Sequence, residues 1–168
     1  TDEGLAGIGV GGGGAAGIHI IQSVLSDLLV GRDATTVEEL HEEMCQHTAF
    51  YGRKGVVVMA ISGVDLALWD LRGKAAGQPV AKLLNPQVDL NRELPTYSTV
   101  FDDNDAESAF NDGHKAIKLH VERFGNCPNP ADIATLVRRT RERLGADANI
   151  MIDAFARWDI DTSLRVAA

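Results

Sequence analysis

Three short apolar runs, "LPTYSTV", "KAIKLHV" and "NIMIDAF", are separated by two stretches that carry helix punctuation, and this alternation limits the fold more than any other feature. A strand, helix, strand, helix, strand order makes neighbouring strands parallel, joined by right-handed crossovers. The punctuation is specific. Asn129 precedes Pro130 and Gly145 follows the last apolar position, so the second helix carries an N-cap, a proline at its first position and a glycine stop. The first helix is expected from about Asp105 to Asp112, closed by Gly113. Only 14 residues separate Val100 from Lys115, close to the minimum of about 10 to 12 for such a crossover. "DTSLRVAA" resembles the start of another helix.

The first half of the chain reads as helical. Val57, Ile61, Val64, Leu68, Leu71 and Ala75 recur on one helical face, Asp70 and Lys74 form an i,i+4 pair beside it, and Gly77 and Pro79 end it. A second helix is expected after Thr35 or Thr36, with Glu38 and Glu39 in its first turn, and another from about Ala15 to Leu29. A short strand is expected from about Leu5 to Val10. Gly7-x-Gly9-x-x-Gly12 has the dinucleotide spacing, but no second strand with an acidic residue follows it, so a surface loop is the expected outcome.

Period two gives "KAIKLHV" its interest. Ala116, Lys118 and His120 share one side of a strand, and Ile117, Leu119 and Val121 share the other. A cation and an imidazole therefore stand together opposite a fully apolar face. Asp153 lies at the end of the third strand, with Arg157 and Trp158 close behind it. The arginine run Arg138 to Arg143 lies opposite Ile133, Leu136 and Leu144, as a solvated outer face would.

Composition narrows the partners. The chain has 168 residues, 45% of them hydrophobic, and a net charge of −8. That charge argues against nucleic acid, whose phosphates call for Lys and Arg. No apolar run is long enough to span a membrane. Cys45 and Cys127 match no metal-binding spacing and are expected to be reduced, which points to the cytoplasm. His19, His41 and His47 show no partners at ligand spacing.

The stretch "AISGVDLALWDLRGKAAGQPVAKLLN", with Ala60, Asp65, Ala67, Asp70, Gly73, Lys74, Pro79 and Leu83, resembles the signature helix of the mandelate racemase/muconate lactonizing branch of the enolase superfamily. "TDEGLAGIG", "YGRKG" and "LPTYST" fall in the order that family shows. The resemblance implies an α/β enolase-superfamily architecture, an α+β capping domain followed by a (β/α)₇β barrel. Residues 1–93 would be capping-domain remnant and signature helix, and residues 94–168 the first three barrel strands. A closed barrel of this kind takes about 250 residues, so the chain is expected to be part of a longer protein.

The resemblance also implies chemistry. Lys118-Leu119-His120 occupies the place of the family's Lys-x-Lys motif, with Lys118 expected on the substrate carboxylate and His120 as the acid/base group. Asp65 and Asp70 are expected to be structural. Asp153 would be the first of three carboxylates holding Mg²⁺, and Phe155 replaces an Asn common two positions after it. Arg157, in the loop just past Asp153, is a further candidate by reach, either to hold a substrate carboxylate or to donate a proton. A neutral imidazole accepts a proton near pH 7 readily, and Lys118 is expected to favour that neutral form by like-charge repulsion. The expected reaction is Mg²⁺-dependent removal of a proton α to a carboxylate, in a sugar-acid dehydratase acting on a small-molecule acid sugar. A racemase or cycloisomerase of the same family, and a catalytically incomplete or non-catalytic relative, are the alternatives. The relatives imply a homo-oligomer.

Overall fold

The computed structural model describes residues 1–168, which divide into two compact units, Thr1–Asn91 and Arg92–Ala168. The first unit is helical. A helix over Gly14–Ile20 (α1) continues through a wide π turn, Ile21–Leu25, into Ser26–Leu29 (α2). Val37–Thr48 (α3), Val56–Ala76 (α4) and Val80–Leu84 (α5) follow. The face of α4 read from periodicity is the one that packs: Val57, Ile61 and Leu68 are buried with Leu25, Val37, Leu40 and Met44. The stripe is lost toward the helix end, where Ala75 is exposed. Gly77, at φ 62°, closes α4, and the amide of Gln78 bonds back to the Gly73 carbonyl at 3.0 Å, the pairing expected of a left-handed helix stop.

The expected strand over Leu5 to Val10 does not form. The segment is extended, but it has no ladder partner and lies along α4 instead. Its glycines explain how. A Cβ on Gly7 would lie 2.0 Å from the Ala67 carbonyl oxygen, one on Gly9 would lie 2.0 Å from that of Gly63, and one on Gly11 would lie 2.9 Å from that of Met59. Two extended residues advance about 6.6 to 6.8 Å, and four helical residues advance about 6.0 Å, so alternate glycines meet successive helix turns. Asp70 and Lys74 fix the register. The Ile8 amide donates to Asp70 Oδ2 at 2.8 Å, Lys74 Nζ donates to the Ala6 carbonyl at 2.8 Å, and the two side chains pair at 2.7 Å. The glycine-rich run is thus a backbone-on-backbone contact and not a phosphate cradle.

The second unit is a three-stranded parallel sheet in the order β1-β2-β3, with β1 Ser98–Val100, β2 Ala116–His120 and β3 Asn149–Asp153. Helices Asp103–Asn111 (α6) and Pro130–Leu144 (α7) make the crossovers, and Ile160–Ala167 (α8) ends the chain. The short first crossover is complete, because Asp102 caps α6 by accepting from the amides of Asn104 and Asp105. That cap starts the helix two residues earlier than expected. Asn129 caps α7 through the Ala131 amide. Ile117, Leu119 and Val121 are fully buried against Ile133, Leu136 and Leu144 of α7, and Val100, Ala106 and Ala109 complete this core.

Two polar clusters depart from expectation. The arginine run is not simply solvated: Arg139 and Arg143 both reach Oδ2 of the buried Asp103 at 2.9 Å, and Arg141 Nη1 donates to the carbonyls of Gly145, Ala146 and Ala148. These contacts tie α6 to α7 and satisfy carbonyls beyond the helix end. His41, which showed no partner in the sequence, lies between Asp65 and Cys45. No helix in the chain is long and apolar enough to cross a membrane.

The glycine contact is testable by denaturation in urea. Gly9→Ala is expected to cost about 2 kcal/mol or more, since backbone must move to admit the methyl group. Gly12→Ala should cost clearly less, because its nearest neighbour is the flexible Met59 thioether at 3.0 Å. Equal, small losses at both positions would show that the segment does not rest on α4.

Candidate active site

The central position of β2 builds the site. Parallel pairing on both flanks fixes its pleat, with Lys118 opposite Thr99 and Met151, and His120 opposite Asp153. One face is sealed by the α7 core, so Lys118 and His120 must project together from the other. Lys118, His120 and Asp153 are each half-buried.

Lys118 Nζ lies 3.2 Å from Asp153 Oδ2, and 5.0 Å from the centre of the Tyr97 ring. The other carboxylate oxygen, Oδ1, accepts the Phe155 amide at 2.9 Å. That backbone hydrogen bond, and then the Lys118 ammonium, hold the Asp153 carboxyl below the usual carboxylate range. In return, the bond to Asp153 is the largest influence raising the Lys118 ammonium above its ordinary value. Lys118 stands beside His120 as the shared strand face required, and its charge is balanced by the Asp153 carboxylate.

His120 is held by rings. Phe101 and Phe155 each approach its imidazole edge-on, with centroids 5.4 Å away in both cases. Its Nδ1 is buried and has no hydrogen-bond partner. An orphaned polar atom costs about 1 to 3 kcal/mol. Phe155 reaches the imidazole through a strained turn. Phe155 and Ala156 have φ of 55° and 54°, the left-handed region that non-glycine residues avoid. Asp153 imposes this turn by accepting the Phe155 amide two residues on, so one side chain both pairs with Lys118 and directs the ring at His120.

Arg157 is placed differently. Its guanidinium pairs with Glu122 and contacts Asn126 Oδ1 at 3.4 Å, and no hydrogen bond or ion pair joins it to Lys118, His120 or Asp153. Trp158 donates its indole N–H to the Gly125 carbonyl at 3.3 Å. The sequence reading did not identify Tyr97 and Phe101 as neighbours of the pair. Their signal was present but weak: each flanks β1 at a position adjacent to the face of Lys118 and His120.

Asp153 is an oxygen ligand of the kind a hard divalent cation takes, yet one carboxylate does not make a magnesium site. The chain gathers no group of three or more His, Cys, Asp or Glu side chains suited to a metal. The donor set fits one ligand of a larger set and does not fit a complete site.

Comparison with known proteins adds to this geometry. Residues 1–85 match the family model described as mandelate racemase/muconate lactonizing enzyme, N-terminal domain, and residues 103–168 match that of the enolase C-terminal domain-like family. An L-rhamnonate dehydratase of Saccharopolyspora erythraea is 36% identical over 167 residues, covering 99% of this chain and 42% of the relative. Among solved structures, a racemase from Streptomyces coelicolor with bound magnesium superposes with a TM-score of 0.82 at 31% identity, over 99% of this chain and 48% of that one. The 3,6-anhydro-D-galactonate cycloisomerase from Zobellia galactanivorans gives 0.86 at 29% identity, over 99% and 47%. The chain thus spans less than half the length of these relatives.

The Lys118–Asp153 pair sets a pH dependence. A carboxyl lowered on folding from its ordinary 3.8 stabilises the fold above that value, and the contribution is lost as pH falls through the lowered one. The Lys118 contribution is complete below 10.5 and is lost as pH rises through the raised value. Asp153→Asn is expected to return the Lys118 ammonium toward its ordinary titration, followed by NMR of the lysine side chain. An unchanged Lys118 titration would contradict the pairing. Ala156→Gly should stabilise the chain by about 1 kcal/mol by relieving the left-handed strain, measured by urea unfolding.

Proposed function

Since the chain belongs to the mandelate racemase/muconate lactonizing enzyme family of the enolase superfamily, we propose that the whole protein removes the proton α to a carboxylate and acts as a sugar-acid dehydratase. The carrying observation is that Lys118 and His120 share the open face of the central strand, with Asp153 in ion-pair contact. The curated relative named L-rhamnonate dehydratase supports the choice of a dehydratase on an acid sugar. A small-molecule carboxylate is the substrate class.

In this reading Lys118 exchanges Asp153 for the substrate carboxylate, which it meets as a charge-assisted hydrogen bond. His120 takes the α proton. Its buried Nδ1 makes no hydrogen bond within the chain. Phe101 and Phe155 flank the imidazole and restrict its orientation. A magnesium ion, bound in the Streptomyces relative, would supply positive charge to the enediolate, with Asp153 as the one ligand this chain offers. The proton taken by His120 passes to the departing β-hydroxyl, which leaves as water, and the resulting enol tautomerises to the 2-keto acid. Arg157 can contribute to carboxylate binding only by leaving Glu122. A racemase or cycloisomerase shares the first step, and the two structural neighbours have those activities in their names.

The test is a screen of acid sugars against the protein at the length of its relatives, with Mg²⁺ present. A 2-keto product that disappears on chelation is expected, and His120→Asn should lower kcat about 10²- to 10⁴-fold. Product that survives chelation, or full activity in His120→Asn, would overturn the mechanism. Epimerised or cyclised product without loss of water would replace the dehydratase with the sister activity.

A further inference from the structure

Lys118 already answers one carboxylate, Asp153 at 3.2 Å, so a second anion at the same ammonium calls for a further donor. Tyr97 stands where one is required. Its hydroxyl lies 3.5 Å from Lys118 Nζ, and its ring centre lies 5.0 Å from the same atom. We propose that the Tyr97 hydroxyl and the Lys118 ammonium form a two-donor clamp for the substrate carboxylate. The clamp rests on the function proposed above, and it adds a second ligand for the anion assigned there to Lys118 alone.

The backbone puts the hydroxyl there. Thr99 is paired with Lys118 across the β1–β2 ladder. Side chains two apart on an extended chain share a face, and Tyr97, two residues before Thr99, reaches Lys118 on that face. Asp153 comes from the other flank, since β3 lies on the opposite side of β2. The ammonium therefore has a phenol on one side and a carboxylate on the other. Only the phenol is neutral, so only the phenol can face a second anion without repelling it.

Donor capacity is left over on both groups. An ammonium carries three N–H donors and a phenol one O–H. Lys118 directs one toward Asp153 and one toward the Tyr97 oxygen, which leaves one. The Tyr97 hydroxyl accepts from Lys118, an ammonium cannot accept in return, and no other group of the chain takes the phenol proton. That proton is within reach of a substrate, because Tyr97 is 51% exposed. Two donors 3.5 Å apart suit a single carboxylate. Charge-assisted bonds of about 2.7 to 2.9 Å from the ammonium and about 2.5 to 2.7 Å from the hydroxyl can run side by side to its two oxygens.

The probe for the test is glycolate, a 2-hydroxy carboxylate with no β-hydroxyl to lose, so that binding is read without dehydration. Titrated into the full chain and followed by NMR, it is expected to shift the Tyr97 ring and Lys118 side-chain resonances in parallel, with one dissociation constant. Neutral glycolamide at the same concentrations should move neither. Tyr97→Phe keeps the ring over the ammonium and removes only the donor, and it should weaken glycolate about tenfold. Undiminished affinity in Tyr97→Phe, or equal shifts from sodium chloride at the same concentration, would overturn the clamp. In the protein at the length of its relatives, the same variant should raise KM for the acid sugar about tenfold, and a fall in kcat with KM unchanged would also overturn it. Glycolate binding does not depend on dehydration, so failure of the dehydratase assignment and failure of the clamp are read separately.

Discussion

Everything at the candidate site depends on a strand paired on both sides with one face sealed. β2 forms ladders with β1 and β3, while Ile117, Leu119 and Val121 are buried under α7. A shift of one residue would put Lys118 and His120 into that apolar core, at a desolvation cost of several kcal/mol for the ammonium alone. The register is therefore set by the core, and the placement of the two polar groups follows from it. Asp153 joins them because the same ladder sets His120 opposite it.

The cluster combines stability with stored strain. The Lys118–Asp153 pair satisfies both charges, whereas the buried Nδ1 of His120 and the left-handed Phe155 and Ala156 are unfavourable features within a few residues of each other. Such features persist where the surrounding structure enforces them. Here the enforcing element is Asp153, whose carboxylate accepts the Phe155 amide as well as the lysine. Lys118 and the Phe155 amide thus share one carboxylate, one on each oxygen.

Much of the fold was legible because its signals are local. The caps at Asn129 and Gly145, the stripe along α4, and the alternation in "KAIKLHV" each involve residues a few positions apart, and each element formed where those signals lie. The misreadings involve distant partners. Leu5 to Val10 has the local pattern of a strand, but a strand needs a neighbour, and the glycines instead fit the turns of α4 some 50 to 60 residues away. The arginine run looked solvated because its partner, Asp103, lies on another helix. For the site, the shared face of Lys118 and His120 was legible from period two alone. The aromatic clamp was not, since it requires the turn at Phe155.

The most direct measurement is of proton–proton NOEs from the His120 imidazole in an isotopically labelled chain. The account expects contacts to the rings of both Phe101 and Phe155, whose centroids lie 5.4 Å from that of the imidazole. NOEs to Ile133 and Leu136 instead, or an imidazole with no aromatic contact, would place His120 off the face on which the site depends and contradict the account.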